Sequence, residues 1–513
     1  MQIYKKLFFL LSSNERLRMM LLIVLILIMA IIDMLGIASI MPFIAVLANP
    51  ELVETNKILN TTYKLSGDFG IITKDHFLIA MGVLVFLLLI ASISIKALTL
   101  YFQARFIKMC EHNISNRLVR CYLHQPYAWF LNRNSATLGK TILSEVTQVV
   151  GRGLGPMMNL ITSIIVTFTI FVLLVYVEPK LSSIVMITMC AFYGVAFKLN
   201  KNLFSKIGNE VFLANEKRFR VLAEAFGASK EVKIGGLEKI YIKEFSKPSK
   251  KIAMNNALIT IMSEMPRFTL EAVAFGGMLL ITLYYMTLSS NITNVIPIIS
   301  LYAFAGYRLM PALQKIFTSI TSMRVVKPAL DSLHDDLQNL KPIIPDEKSD
   351  FINIKNDICL KNINYNYPNT SRTALKNINL IIPVNKTIGL VGATGSGKTT
   401  TVDILLGLLE PQKGTLEIDG KIINNANRRS WQRSIGYVPQ QIFLADNTIS
   451  SNIAFGVNTK DINQEAVENA SKIANIHNFI MNELPLNYRT TVGERGIRLS
   501  GGQRQRIGIA RAL

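Results

Sequence analysis

The sequence predicts a multidomain chain: an all-α bundle that crosses a membrane six times, followed by a domain of α/β class. Three observations carry this. Six apolar runs of bilayer-spanning length fill the first 318 residues. From about residue 351 the apolar residues fall into short alternating runs of strand length. Within that second region a glycine-rich loop joins a strand-like segment to a helix-like one.

At 513 residues the chain exceeds one compact domain. Half of its residues are hydrophobic and its mean hydropathy is +0.34, which points to a membrane protein. The formal net charge of +21 raises the question of nucleic-acid binding, and its placement answers it. Lys and Arg concentrate at 105–140 and 198–251, between apolar runs, with no contiguous basic stripe carrying aromatic partners. That distribution follows the positive-inside rule, so no nucleic-acid partner is expected. Cys110, Cys121, Cys190 and Cys359 lie far apart, without CxxC spacing or nearby His, and neither a disulfide nor a metal site is expected from them.

Crossing about 30 Å of hydrocarbon takes about 20 apolar residues at 1.5 Å each. The runs that meet this are 19–48, 76–106, 153–177, 181–200, 263–288 and 292–318. Lys5, Lys6, Arg16 and Arg18 precede the first, and no small-residue cleavage site follows it, which marks a retained span. Residues 50–75 have room for a short amphipathic helix with Leu52, Val53, Ile58, Leu59 and Tyr63 on its apolar side; an unstructured loop is the competing expectation. An even number of spans, with basic residues at the start and in 105–152 and 198–262, puts both termini in the cytoplasm and makes 178–180 and 289–291 the short outside turns. Apolar spacing at Leu118, Tyr122 and Leu123, and at Val221, Leu222 and Phe226, carries the inside loops on as helix.

The membrane domain is therefore expected over 1–324, a linker with Pro342 and Pro345 over 325–350, and the α/β domain over 351–513. Strands are expected over 358–365 and 387–391, the second leading into Gly392-Ala393-Thr394-Gly395-Ser396-Gly397-Lys398-Thr399 and a helix over 400–409. The loop fits GxxxxGK[ST] in its strand-to-helix setting. Its glycines let backbone N–H groups converge on phosphate oxygens at a helix N-terminus, with Thr400 just inside the helix. Lys398 is expected to hold the β and γ phosphates and Thr399 to ligate Mg²⁺, which makes ATP and Mg²⁺ the expected cofactors.

Farther on, Leu499-Ser500-Gly501-Gly502-Gln503 introduces a basic helix over 504–513. LSGGQ followed by RQRIGIARAL, with the P-loop before it, resembles the signature motif of the ABC transporter family. In that family the signature of one protomer closes over ATP held by the P-loop of another, so the resemblance implies a dimer, expected to be of identical chains. Ser500 and the Gly501 and Gly502 amides, followed by Gln503, would then offer donors to the γ-phosphate. Tyr367, in NYNYP, resembles the aromatic that stacks on adenine, with a strand-edge core tyrosine as the alternative. Gln440, in GYVPQ, resembles the catalytic Q-loop glutamine that meets Mg²⁺ and the membrane domain. TTVGERG at 490–496 resembles the TxVGExG segment of ABC exporters. Importers generally lack that segment, and a membrane part ahead of the ATPase part on one chain also implies export. The family pattern continues with four apolar residues, Asp and Glu, then a switch His, all beyond Leu513. The resemblance thus implies that these 513 residues by themselves bind ATP weakly, if at all, and hydrolyse none, with an unpaired sheet edge beside the P-loop strand.

The membrane half resembles bacterial lipid-linked oligosaccharide flippases in KKLFFLLS at 5–12, MPFI at 41–44 and YRLMP at 307–311. The resemblance implies a polyisoprenyl-linked glycan as cargo, a bacterial inner-membrane location and contact with membrane lipid; in such flippases an external helix takes part in substrate recognition. Asp33, Glu271 and Arg308 lie inside spans, where a charge costs about 2.5–3.5 kcal/mol. They are expected either to face a cavity, with Arg308 meeting a pyrophosphate, or to pair between helices or snorkel. Residues 125–134 and 230–237 match the positions that dock on the ATP-binding domain, solvated loop being the alternative. Two other functions compete: export of peptides or hydrophobic small molecules, and an inert remnant.

Overall fold

The computed structural model describes residues 2–68, 73–288, 296–341, 351–368, 370, 372–493 and 496–513. The chain forms two units, one of Met1–Gln125 with Arg133–Ile343 and one of Pro126–Asn132 with Ile344–Leu513.

In the first unit, α1 (Gln2–Leu10) precedes α2 (Ser13–Ala38), which begins at a capping box. Ser12 Oγ accepts the Glu15 N–H, and the Glu15 carboxylate accepts the Ser12 N–H at 2.7 Å. α3 (Ile40–Ala48) follows a break at Ser39, because Pro42 has no N–H to donate to the carbonyl of residue 38. The predicted first span is thus two helices. After α4 (Leu52–Thr55), the Asn56 side chain accepts from the Ile58 and Leu59 N–H groups and starts α5 (Lys57–Gly67). The outside segment is helical, with Val53 and Leu59 buried against Val46 and Phe77. Ile58 departs from its expected place on the apolar side: it is 75% exposed, because one residue before Leu59 the helix surface points about 100° away.

α6 (Lys74–Leu123) leads to α7 (Tyr127–Phe130), α8 (Ser135–Lys140) and α9 (Val146–Val149), with π-helical turns at Thr141–Glu145 and Val150–Leu154 flanking α9. α10 (Gly155–Val177) and α11 (Pro179–Gly227) are separated by Glu178 alone. α12 (Ser229–Ile234), α13 (Glu238–Leu288), α14 (Ile296–Val325) and α15 (Lys327–Asn339) complete the unit. α6, α11 and α13 have 50, 49 and 51 residues, about 75 Å each and more than twice the hydrocarbon thickness. They continue beyond the membrane as expected, with Leu118, Tyr122 and Val221 buried there and Leu123 and Phe226 exposed. Among the described residues five helical stretches are long and apolar enough to cross a membrane, and 263–288 lies within α13. Leu21, Phe86, Phe168 and Ile187 are exposed along these helices, as a lipid-facing surface requires. The expected outside turn 289–291 and the linker prolines fall outside the described residues.

Polar side chains inside this unit pair between helices. Gln103 Nε2 donates to Asn159 Oδ1 at 2.9 Å, and the Ser182 and Tyr302 hydroxyls lie 2.8 Å apart. A buried Lys140–Glu145 ion pair of 2.7 Å spans the first π turn. The stretch expected as linker contains α15, whose Asp336 accepts from Tyr122 at 2.8 Å and from Arg133 at 3.0 Å.

The second unit holds a four-stranded antiparallel sheet, in the order β2-β1-β3-β4, formed by β1 (Asp357–Asn366), β2 (Thr373–Pro383), β3 (Lys413–Ile418) and β4 (Lys421–Ile422). β3 and β4 turn through Asp419 and Gly420, with φ of 49° and 77°, as a two-residue hairpin requires. α16 (Lys398–Leu405) and α17 (Arg428–Arg433) bury Ile404 and Trp431 with Leu360 and Leu416 of the sheet, and Ala128 of α7 packs on this core. A separate core joins α18 (Ile449–Ile453), α19 (Gln464–Ile473), α20 (His477–Glu483) and α21 (Gly501–Ala512) through Ile449, Val467, Ile480 and Ile507. The expected strand at 387–391 does not form. A strand exists only where its backbone groups meet a neighbour, and no described residue pairs with this segment; Val391 is 97% exposed.

Candidate functional site

The loop 392–397 depends on backbone conformations that glycine adopts without strain. Gly395 and Gly397 have φ of 81° and 91°, and a Cβ on Gly397 would stand 2.6 Å from Leu375 Cδ2 and 2.9 Å from the Ala374 carbonyl oxygen. Gly397 is also the N-cap of α16, so Lys398 and Thr399 open the helix where its N–H groups have no partner within it. Lys398 Nζ donates to the carbonyl oxygens of Gly392 and Ala393 at 2.7 and 2.9 Å, which holds the ammonium over the loop.

A cleft of about 540 Å³ brings together Tyr367, Thr394, Gly395, Gly397, Lys398, Thr399, Thr400 and Gln440. The Tyr367 and Thr400 hydroxyls are 3.0 Å apart, and the Tyr367 ring meets Tyr365 edge-on at 5.2 Å, so the aromatic is anchored on both sides. Gly392, Ala393 and Ser396 shape the turn without lining the cleft. Thr370 and Arg372 do line it, and motif reading missed both because they belong to no spaced pattern. An ammonium, hydroxyls, helix-end amides and an aromatic face fit a nucleoside polyphosphate. The Thr399 hydroxyl and Gln440 amide oxygen are two neutral oxygen donors, a set suited to Mg²⁺ held chiefly by phosphate and water.

Ser500 caps α21. Its Oγ accepts the Gln503 N–H at 3.2 Å, and Gln503 Oε1 accepts the Ser500 N–H at 2.8 Å. Gly501 and Gly502 are exposed, with open space where a Cβ would stand. None of these four residues lines the P-loop cleft of the same chain. In the segment 490–496, Thr491 bridges to Thr448 and Val492 is buried, while Glu494 and Arg495 lie outside the described residues.

In the membrane bundle Arg308 Nη2 lies 3.4 Å from Asp33 Oδ1, and Ser92 Oγ donates to the same oxygen at 2.6 Å. Glu271 does not join them; it pairs with Arg267 one turn away on α13 at 2.9 Å. Asp33 and Arg308 therefore pair between helices, and Glu271 pairs along its own. Of the two expected docking segments, Pro126–Asn132 belongs to the second unit and 230–237 to the first.

A family described as ABC transporter transmembrane region matches residues 17–312, and one described as ABC transporter matches 375–513. The heterocyst differentiation ATP-binding protein HepA of Nostoc sp. is 28% identical over 83% of this chain and 70% of its own length. An ATP-dependent lipid A-core flippase of Pectobacterium atrosepticum is 27% identical over 78% of this chain and 68% of its own. The ABC-type transporter MDR1 of Aureobasidium melanogenum is 29% identical over 89% of this chain and 34% of its own. A solved bacterial Atm1-family ABC exporter with ATP bound covers 98% of this chain and 84% of itself, at a TM-score of 0.73 and 18% identity, a likeness of fold. The membrane-region match covers more than half of the sequence, and with the apolar helices and the ATP-binding region it shows that the chain belongs to the ABC transporter family, as a multi-pass exporter whose ATP-binding region is cytoplasmic.

Proposed function

We propose that this exporter is an ATP-driven flippase for a lipid-linked oligosaccharide or similar polyisoprenyl-linked glycan, working as a homodimer in the bacterial inner membrane. The observation that supports it is the charged cluster of Asp33, Ser92 and Arg308, which joins three membrane-spanning helices. Charges at that depth cost about 2.5–3.5 kcal/mol each and mark function by default. Arg308 exchanges its single contact with Asp33 for the cargo's pyrophosphate, whose oxygens suit the planar guanidinium fork. Glu271 lies off this cluster and contacts cargo only where α13 lines the path. Relatives named as lipid A-core flippases support a lipid cargo.

At the nucleotide site, Tyr367 stacks on adenine, the 392–397 amides and Thr400 hold the phosphates, and Lys398 reaches the β and γ groups. Thr399 and Gln440 hold Mg²⁺, which when bound neutralises charge on the transferred phosphoryl group. Ser500, Gly501 and Gly502 of the second copy close over the γ-phosphate, with Gln503 fixing their turn. The test is nucleotide turnover of the transporter in proteoliposomes. Stimulation by a polyprenyl-pyrophosphate oligosaccharide, with none by peptides or hydrophobic dyes, supports the reading. The reverse ranking replaces it with peptide or small-molecule export, and flipping unaffected by Arg308→Ala removes Arg308 from the path.

A further inference from the structure

Where α11 leaves the membrane it crosses the joint between α14 and α15. The approach is close because residue 208 is glycine; a Cβ there would collide with the Val325 backbone. Two adjoining clefts open beside this joint, of about 460 and 560 Å³, and Asn202, Ser205 and Lys327 line both. Lys206, Asn209 and Asp331 complete one, while Gln2, Lys201 and Arg324 complete the other. Four cations from α11, α14 and α15 thus line the clefts with one carboxylate, Asp331, which already pairs with Lys6 at 2.8 Å; Glu210, one turn from Lys206 on α11, lies outside both linings and pairs with Lys251 at 3.3 Å. Among the described residues, Lys201, Lys206 and Lys327 form no ion pair and no side-chain hydrogen bond. Arg324 is held in place over the Phe197 ring at 4.5 Å.

The depth of the clefts follows from the sequence: the fourth apolar run ends near residue 200 and the sixth near 318. The clefts therefore begin level with the headgroups of the cytoplasmic leaflet, at Lys201, Asn202 and Ser205, beside α1 with its exposed Tyr4, Phe8 and Phe9, and continue to Lys327 and Asp331, about 14–20 Å past the end of the sixth run. We propose that they bind the phosphate headgroup of an anionic phospholipid. Membrane orientation needs basic residues only in the inside loops. It does not need them gathered from three helices around shared amide and hydroxyl donors, an arrangement that matches phosphate oxygens. A lipid seated there braces α1, α11 and the α14–α15 joint together. None of this depends on the identity of the cargo.

The test uses the full chain purified in neutral detergent, with its melting temperature followed as phosphatidylglycerol, phosphatidylcholine or inorganic phosphate is added. Phosphatidylglycerol is expected to raise the melting temperature of the parent and of a control bearing Lys239→Gln, Lys243→Gln and Lys250→Gln. The shift is expected to fall by at least half in the variant bearing Lys201→Gln, Lys206→Gln and Lys327→Gln, and to return with arginine at those three positions. Should the triple variant fail to fold, Lys206→Gln and Lys327→Gln singly, against Lys239→Gln, carry the same comparison. Equal shifts in the cleft and control variants, or an equal effect of phosphatidylcholine, would overturn the proposal. Inorganic phosphate reproducing the shift at matched concentration would assign the clefts to a soluble anion and overturn the lipid reading.

Discussion

Replacing Gly397 by alanine sets a Cβ against Leu375 Cδ2 and the Ala374 carbonyl, at a φ of 91° that side chains avoid. The strain is about 1–3 kcal/mol, so Gly397→Ala is expected to lower the melting temperature as well as nucleotide affinity. Lys398→Ala separates these effects. It removes an exposed ammonium that holds loop carbonyls, leaves the fold intact, and is expected to weaken ATP binding roughly ten- to hundredfold, from the ~1.5–3 kcal/mol of a charge-assisted bond. Titration with a fluorescent nucleotide measures it. In the membrane, Asp33→Ala leaves the Arg308 guanidinium without its carboxylate, at a cost of about 3–5 kcal/mol for a buried pair. The double variant with Arg308→Ala is expected to melt higher than Asp33→Ala alone, and thermal unfolding of the three variants closes the cycle.

Helix ends and hairpins set how these residues are presented. Ser500→Ala loses the cap of α21, about 1 kcal/mol, whereas Ser500→Asp keeps an N-cap acceptor and suits the positive end of the helix. Ser500→Asp is therefore expected to keep the melting temperature and still fail to trap nucleotide, because it replaces a hydroxyl donor with a negative charge; retention of both would exclude a γ-phosphate role. The Asp419 carboxylate accepts from the Lys355, Asn356 and Asp357 N–H groups, and these bonds hold its pKa below the ordinary aspartate range. A depressed folded-state pKa means that the stabilisation is present above the unfolded value and is lost as pH falls through the folded one. Hydrogen exchange at 355–357, corrected for intrinsic rates, is expected to speed up in acid, and Asp419→Asn is expected to abolish that dependence. The same scale explains what could be read from the residues alone. The P-loop and the signature turn are legible because glycine, lysine and serine act within a few residues of one another. The absence of a strand at 387–391 is not legible, because strand formation depends on a neighbour that no local pattern announces. Ser12 and Glu15 do spell a helix start, but the apolar run behind them hides the separate α1.

At the scale of the whole molecule, the P-loop cleft and the signature turn are separate sites in one chain, so complementation tests whether they serve one nucleotide between copies. Co-expressed Lys398→Ala and Ser500→Asp chains give a mixed dimer with one fully intact composite site. Trapped nucleotide is expected at about half the parent level in that dimer and near zero in either variant alone; sites formed within single chains would give near zero in all three. The six apolar runs made the membrane half legible, because bilayer thickness imposes the same length on every span. The two π turns flanking α9 left no such mark, yet they set where this gene can vary in length. Each turn absorbs one extra residue, so deleting one there restores ordinary helix and leaves everything after it facing as before, whereas deleting one from the start of α10 swings the rest of that helix by about 100°. Asn159 then turns away from Gln103, and Ile170 and Leu174 away from Leu301 and Tyr302. A one-residue deletion at 156–158 is therefore expected to abolish assembly in the membrane, while the same deletion in either π turn, or in the exposed turn at Gly235 and Gly236, is tolerated, an asymmetry that a deletion scan read by membrane expression would reveal.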